Sequence, residues 1–258
     1  MSFIISTQAE VLKTKRTASF WLSIIGAALL PAIFLLNLTI ESEQAFKSFA
    51  ADPWKKMFFA GWQILAAFLL PMYIILIATL IPQIEYKNNT WKQVFASPQT
   101  VSTIFFSKFL TIHIMILICF ILFNVLMILA GVLIDVITPE FTFLQRSIDW
   151  ETLLRLNVKT YISILGISAF QYCLSLRFKN FVAPVGIGLA LVIGAVISIE
   201  FHWQHIYKFP YTYPILSYDS MEKTSYPILE NHEWNSIGFC VFFLLVGFLD
   251  MKFRKEKG

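Results

Sequence analysis

Six long, unbroken apolar runs constrain this chain more than any other feature. They lie near residues 19–38, 58–81, 110–134, 156–176, 181–199 and 234–253. A helix needs about 20 apolar residues to cross the hydrocarbon layer. Backbone groups in lipid must be satisfied internally, which leaves helices or closed barrels as spanning structures. The runs are continuous rather than alternating, so a barrel is excluded. Of the 258 residues, 57% are hydrophobic and 14% charged, against about 25% charged in a soluble domain. The expected fold is therefore all-α, a single polytopic membrane domain over residues 1–258 with six transmembrane helices. The purely apolar part of the sixth run, Ile237 to Leu249, is short, and Asp250 and Lys252 must sit at the surface. The first has a basic flank but is too long for a leader and lacks a small-x-small site, so it is expected to remain as a span.

Charge placement sets the expected orientation. One set of connecting segments holds Lys13, Lys15, Arg16, Lys87, Lys92, Lys108, Arg177, Lys179, Lys252, Arg254, Lys255 and Lys257 against only Glu10, Glu85, Asp250 and Glu256. The opposite set is net acidic. The basic side is expected to be cytoplasmic, with both termini there, in an inner (plasma) membrane. The overall +4 charge then reflects topology, and no nucleic-acid partner is implied. Cys119, Cys173 and Cys240 all fall inside spans with no C-x-x-C, so neither a disulfide framework nor a metal site is expected.

Residues 1–18 read as an amphipathic helix lying in the interface. Met1, Ile4, Ile5, Ala9, Val11 and Leu12 fall on one face, and Ser6, Glu10, Lys13 and Thr14 on the other. Residues 201–233 form the largest outer loop, rich in tyrosine and proline, where short helices are expected. No loop is large enough for a separate soluble domain.

Enzyme motifs are missing. There is no phosphate-binding G-K-[ST], no H-E-x-x-H and no G-x-S-x-G. His202 and His205 lie in an outer loop without a carboxylate cluster at ligand spacing, and surface histidines are the simpler reading. No catalytic residue is assigned.

The informative stretch is residues 83–107. It leaves the membrane after Pro82, opens with polar residues and gives Trp91, Val94 and Phe95 an apolar face. Pro98 disfavours helix at Ser97, so a short surface helix ends in a hinge, with Trp91 and Lys92 exposed. Glu85 lies close to the membrane, where a lone carboxylate is costly without a partner. In the fifth span, Gly186, Ala190, Gly194 and Ser198 recur every four residues, a strip that lets another helix approach closely, from this chain or a second one. Asn124, near mid-membrane, is a candidate path-lining residue, with an interhelical hydrogen bond as the simpler alternative. Lys159 lies a turn from the outer surface and can snorkel. Pro31 and Pro71 lie inside spans as candidate kinks.

The sequence E-Y-K-N-N-T-W-K at residues 85–92, followed after five residues by Pro98, sits between the second and third of six spans. An entry helix carries Glu10, Lys13, Lys15 and Arg16 as E-x-x-K-x-K-R. Together these resemble the membrane subunits of type-2 ABC transporters, in particular small permeases of bacteriocin-immunity and multidrug export systems. The resemblance covers most of the chain. It implies that residues 83–107 are a cytoplasmic coupling segment whose Glu85, Lys87, Asn88, Trp91, Lys92, Phe95 and Pro98 meet a separate ATPase subunit. Residues 1–18 become the connecting helix. The partners implied are a cytoplasmic ABC ATPase dimer, a second permease copy or related permease, and the bilayer. No cofactor is implied on this chain, since ATP and Mg belong to the ATPase. The implied function is non-catalytic: half of an exporter path for a hydrophobic or amphipathic solute, such as a peptide antibiotic, a drug or a lipid-like molecule. The family's first and fifth spans meet between permeases, so Gly26 and Ala27 are candidates to complement the strip. The polar last outer loop departs from the family pattern and leaves re-entry there open. The competing readings are a non-transporting anchor or sensor subunit and an intramembrane enzyme.

Overall fold

The computed structural model describes residues 2–40, 49, 52–221 and 228–253. Among them the chain is helical, with no strand. An entry helix α1 (Phe3–Thr14) precedes α2 (Ala18–Ile40), α3 (Pro53–Lys87), a short α4 (Trp91–Ala96) and α5 (Val101–Ile137). Then come α6 (Trp150–Arg177), α7 (Val182–Glu200), α8 (Tyr213–Met221) and α9 (Asn231–Phe253). Helices α2, α3, α5, α6, α7 and α9 are long and apolar enough to cross a membrane. They coincide with the six runs and extend most of them. The longest has 37 residues, about 55 Å at 1.5 Å per residue, so it projects beyond a hydrocarbon layer of about 30 Å.

Helices α3 and α6 are central, and α2, α7 and α9 are peripheral. On α2 the exposed residues include Trp21, Ile25, Leu29, Ile33 and Leu36, while Ser19, Ser23 and Ala27 are among the buried ones. Apolar residues outside and small polar ones inside suit a lipid-facing helix, because lipid tails give apolar groups no reason to leave them. Pro31 leaves α2 in one piece. Ahead of Pro71, in contrast, α3 widens into a π-helical turn over Leu65–Leu69. Proline has no N–H and crowds the carbonyl four residues back, and the wider turn accommodates both effects.

Helix α6 is interrupted at Ile164. Ser236 of α9 stitches the break: its Oγ lies 2.8 and 2.9 Å from the carbonyls of Ile162 and Ser163 and accepts the Gly166 N–H at 3.0 Å. At Gly166 a Cβ would come within 3.1 Å of Phe239, so glycine lets α6 and α9 cross closely.

Helix α3 runs on past Pro82 to Lys87 and α5 begins at Val101, so most of residues 83–107 is helix. The segment before α9 folds into turns Ile206–Lys208 and Pro210–Thr212, then α8. It descends along α7: the Phe209 ring is 3.8 Å from where a Gly194 Cβ would sit. The hydroxyl of Tyr211 donates to Gln171 Oε1 at 3.2 Å, inside the bundle.

Candidate functional site

The site sits where α1, the end of α3, α4 and the start of α5 meet. The chain leaves α3 through Asn88, Asn89 and Thr90. Asn89 takes a left-handed φ of 54°, a conformation asparagine tolerates better than most residues. The Thr90 N–H donates to Glu85 O at 3.0 Å, and the Thr90 hydroxyl bonds Glu85 Oε2. Helix α4 then presents Lys92, Gln93, Phe95 and Ala96 outward. Trp91 is half-buried, stacked on Phe95 at 5.6 Å and beside Tyr86 at 5.3 Å. Ser97 closes the helix by donating to Val94 O at 2.6 Å. Pro98 follows, and Thr100 caps α5 by accepting the Thr103 N–H at 3.2 Å.

Beneath this elbow lies an ion-pair quartet. Lys108, fully buried, reaches Glu10 Oε2 at 2.6 Å and Glu85 Oε1 at 3.0 Å. Lys13 reaches Glu10 Oε1 at 2.7 Å and Glu85 Oε1 at 2.7 Å. Two carboxylates and two ammonium groups alternate, so the charge of the cluster sums to zero. Burial draws the Lys13 ammonium down, but the hydrogen bonds to Glu10 and Glu85 outweigh it, and its pKa ends above the usual lysine value. Lys108 also faces the Trp91 ring at 5.5 Å, a cation–π contact that ties α4 to the quartet. Nearby, Ser6 Oγ lies 2.9 Å from Gln99 Oε1 and 3.2 Å from Ser107 Oγ. Helix α1 therefore turns Ser6, Thr7, Glu10 and Thr14 into the protein and leaves Ile4, Ile5 and Leu12 exposed.

Of the residues singled out in sequence, Lys87, Asn88, Lys92, Phe95 and Pro98 are exposed around the elbow. Glu85 is not; at 2% exposure it holds the elbow from inside rather than offering itself to a partner. Sequence reasoning missed Lys108 and Thr90. Its one signal was the cost of a lone carboxylate at Glu85, which demanded a partner without naming one.

The other candidates are scattered. Asn124 and Asn157 pair across α5 and α6, with Asn124 Nδ2 donating to Asn157 Oδ1 at 2.8 Å. On α7, Gly186 and Ala190 are exposed, and a Cβ at Gly186 would meet nothing within 4 Å. Gly194 adjoins Phe209, and Ser198 Oγ donates to Ala195 O at 2.8 Å. The face of α7 that packs in the chain is instead Pro184, Gly188, Val192 and Ala195. Ala27 is fully buried within the chain, which corrects its expected role opposite the strip. Lys159 does not snorkel either: it is buried, 3.7 Å from Glu233 Oε2.

A family model described as ABC-2 family transporter protein matches residues 6–196. That range contains the whole quartet, the elbow and most of α7. Comparison with curated proteins and with solved structures finds no match.

Proposed function

The chain belongs to the ABC-2 transporter family, and from that premise we propose that its α3–α5 elbow couples a separate ATPase subunit to solute export. The chain is a permease component of an ABC transporter, a multi-pass membrane protein whose family partners an ABC ATPase. In the proposed mechanism the basic end of the bundle faces the cytoplasm, in keeping with the positive-inside rule. ATP and Mg act on the ATPase, and the sequence offers no phosphate-binding loop of its own. Two ATPase subunits close on ATP, each presses on α4, and two permeases rock between inward- and outward-open states to move a hydrophobic or amphipathic solute outward. Glu85, Lys87, Asn88, Trp91, Lys92, Phe95 and Pro98 serve the coupling, with Glu85 as a positioning residue.

One observation supports this reading above others. A lever works only if it is stiff: Lys108 joins α1, α3 and α5 through Glu10 and Glu85, and its contact with the Trp91 ring holds α4 to that joint. Removing one partner of a buried ion pair costs about 3–5 kcal/mol, so the joint resists yielding under load. The second permease is proposed to meet α7 along Gly186 and Ala190.

The test is co-purification of the permease with its ATPase from mild detergent. Lys92→Glu combined with Phe95→Ala is expected to abolish recruitment while membrane insertion is retained. Full recruitment by that double variant would sink the coupling role.

A further inference from the structure

At the opposite end of the molecule, α6 carries a second constellation that the coupling mechanism does not use. Leu154, Val158 and Ile162 follow one another at four-residue steps and so share one helix face. With Arg155, Lys159 and Leu229 they line a groove of about 510 Å³. Leu154 and Val158 are 67% and 48% exposed, whereas Lys159 on the groove floor is 3% exposed. It lies nine residues into α6, about 14 Å from its start, within the half of the span nearest the acidic end.

The ammonium of Lys159 has no hydrogen-bond acceptor. Glu233, at 3.7 Å, balances its charge at a distance but is engaged elsewhere. Glu233 Oε2 accepts the Glu230 N–H at 2.8 Å, and Oε1 lies 3.4 Å from Ser217 Oγ. Glu151 at the mouth is paired with Arg155 at 2.7 Å. Three N–H donors are thus buried in an apolar setting with nothing to receive them, a costly arrangement in water or lipid.

We infer that this groove binds an anionic amphiphile, a single alkyl or acyl chain ending in a phosphate or carboxylate. The chain lies along Leu154, Val158 and Ile162, and the headgroup oxygens accept from Lys159. The exposed apolar wall asks for a chain, and the buried ammonium, which makes no hydrogen bond, asks for an anionic acceptor. Arg155 at the rim adds a second positive group, partly neutralised by Glu151. The site is independent of the ATPase coupling.

The experiment titrates the purified full-length protein, in neutral detergent, with dodecyl phosphate while thermal unfolding is followed. Dodecanol and inorganic phosphate are the controls. Dodecyl phosphate is expected to raise Tm saturably, and neither control to do so. Lys159→Met should weaken the response at least tenfold, and Lys159→Arg should retain it. Val158→Trp fills the groove without touching the ammonium and should weaken it as strongly. If Lys159→Met fails to fold, Val158→Trp decides. An equal shift with dodecanol, an equal shift with inorganic phosphate, or undiminished affinity in a folded Lys159→Met or Val158→Trp protein would each overturn the proposal.

Discussion

Lys108 Nζ lies 2.6 Å from Glu10 Oε2 although 98 residues separate them in sequence. This contact fastens the entry helix to the start of α5. Glu85 shares the same ammonium, so it also fixes where the α3–α5 elbow points.

Lys108→Met should therefore do more than lose one pair. It leaves Glu10 and Glu85 with only Lys13, two carboxylates facing one half-exposed ammonium. A loss of about 3–5 kcal/mol is expected, read as a lower Tm with reduced ATPase stimulation. Adding Glu10→Gln removes the surplus charge and should recover part of the loss, because residues in one network are not additive. A double variant as damaged as the sum of the singles would show that the quartet does not act as a unit.

The quartet also makes a pH prediction. The Lys13 pKa is raised in the folded protein, so its contribution is fully present below the unfolded lysine value of about 10.4. That contribution fades as pH rises through the higher folded value. The Tm difference between wild type and Lys13→Met should stay constant from pH 6 to pH 9 and shrink only above about pH 10. A difference that collapses near neutrality would contradict the geometry.

Two glycines of α7 separate folding from assembly. A Cβ at Gly188 would meet Ile75 Cγ1 at 2.8 Å and Gln171 Oε1 at 2.9 Å. Gly188→Val is expected to cost about 1–3 kcal/mol by overpacking. At Gly186 the space is open, so Gly186→Ile should leave the Tm of the single chain unchanged. If the proposed permease contact uses this strip, Gly186→Ile should weaken dimerisation, measured by light scattering or cross-linking.

Tyr211→Phe removes the hydroxyl that donates to Gln171 Oε1. The buried amide oxygen then loses that donor, at a cost of about 1–3 kcal/mol. The descending segment should loosen as a unit, with faster amide exchange over residues 206–221 and little change in α1 or α4. Uniformly faster exchange across the molecule would argue that Tyr211 has no local role.

Sequence alone determined the six spans, because continuous hydropathy is a local property and lipid demands it of every spanning helix. It also determined the two faces of α1 and the short helix at Trp91, both readable from periodicity and from Pro98. Tertiary structure alone decided which ammonium groups meet Glu85, which face of α7 packs inward, that Asn124 finds Asn157, and that Lys159 stays buried. These depend on how helices rotate and slide against one another. A rotation of one residue, about 100°, changes every such partner while leaving each helix's own pattern intact.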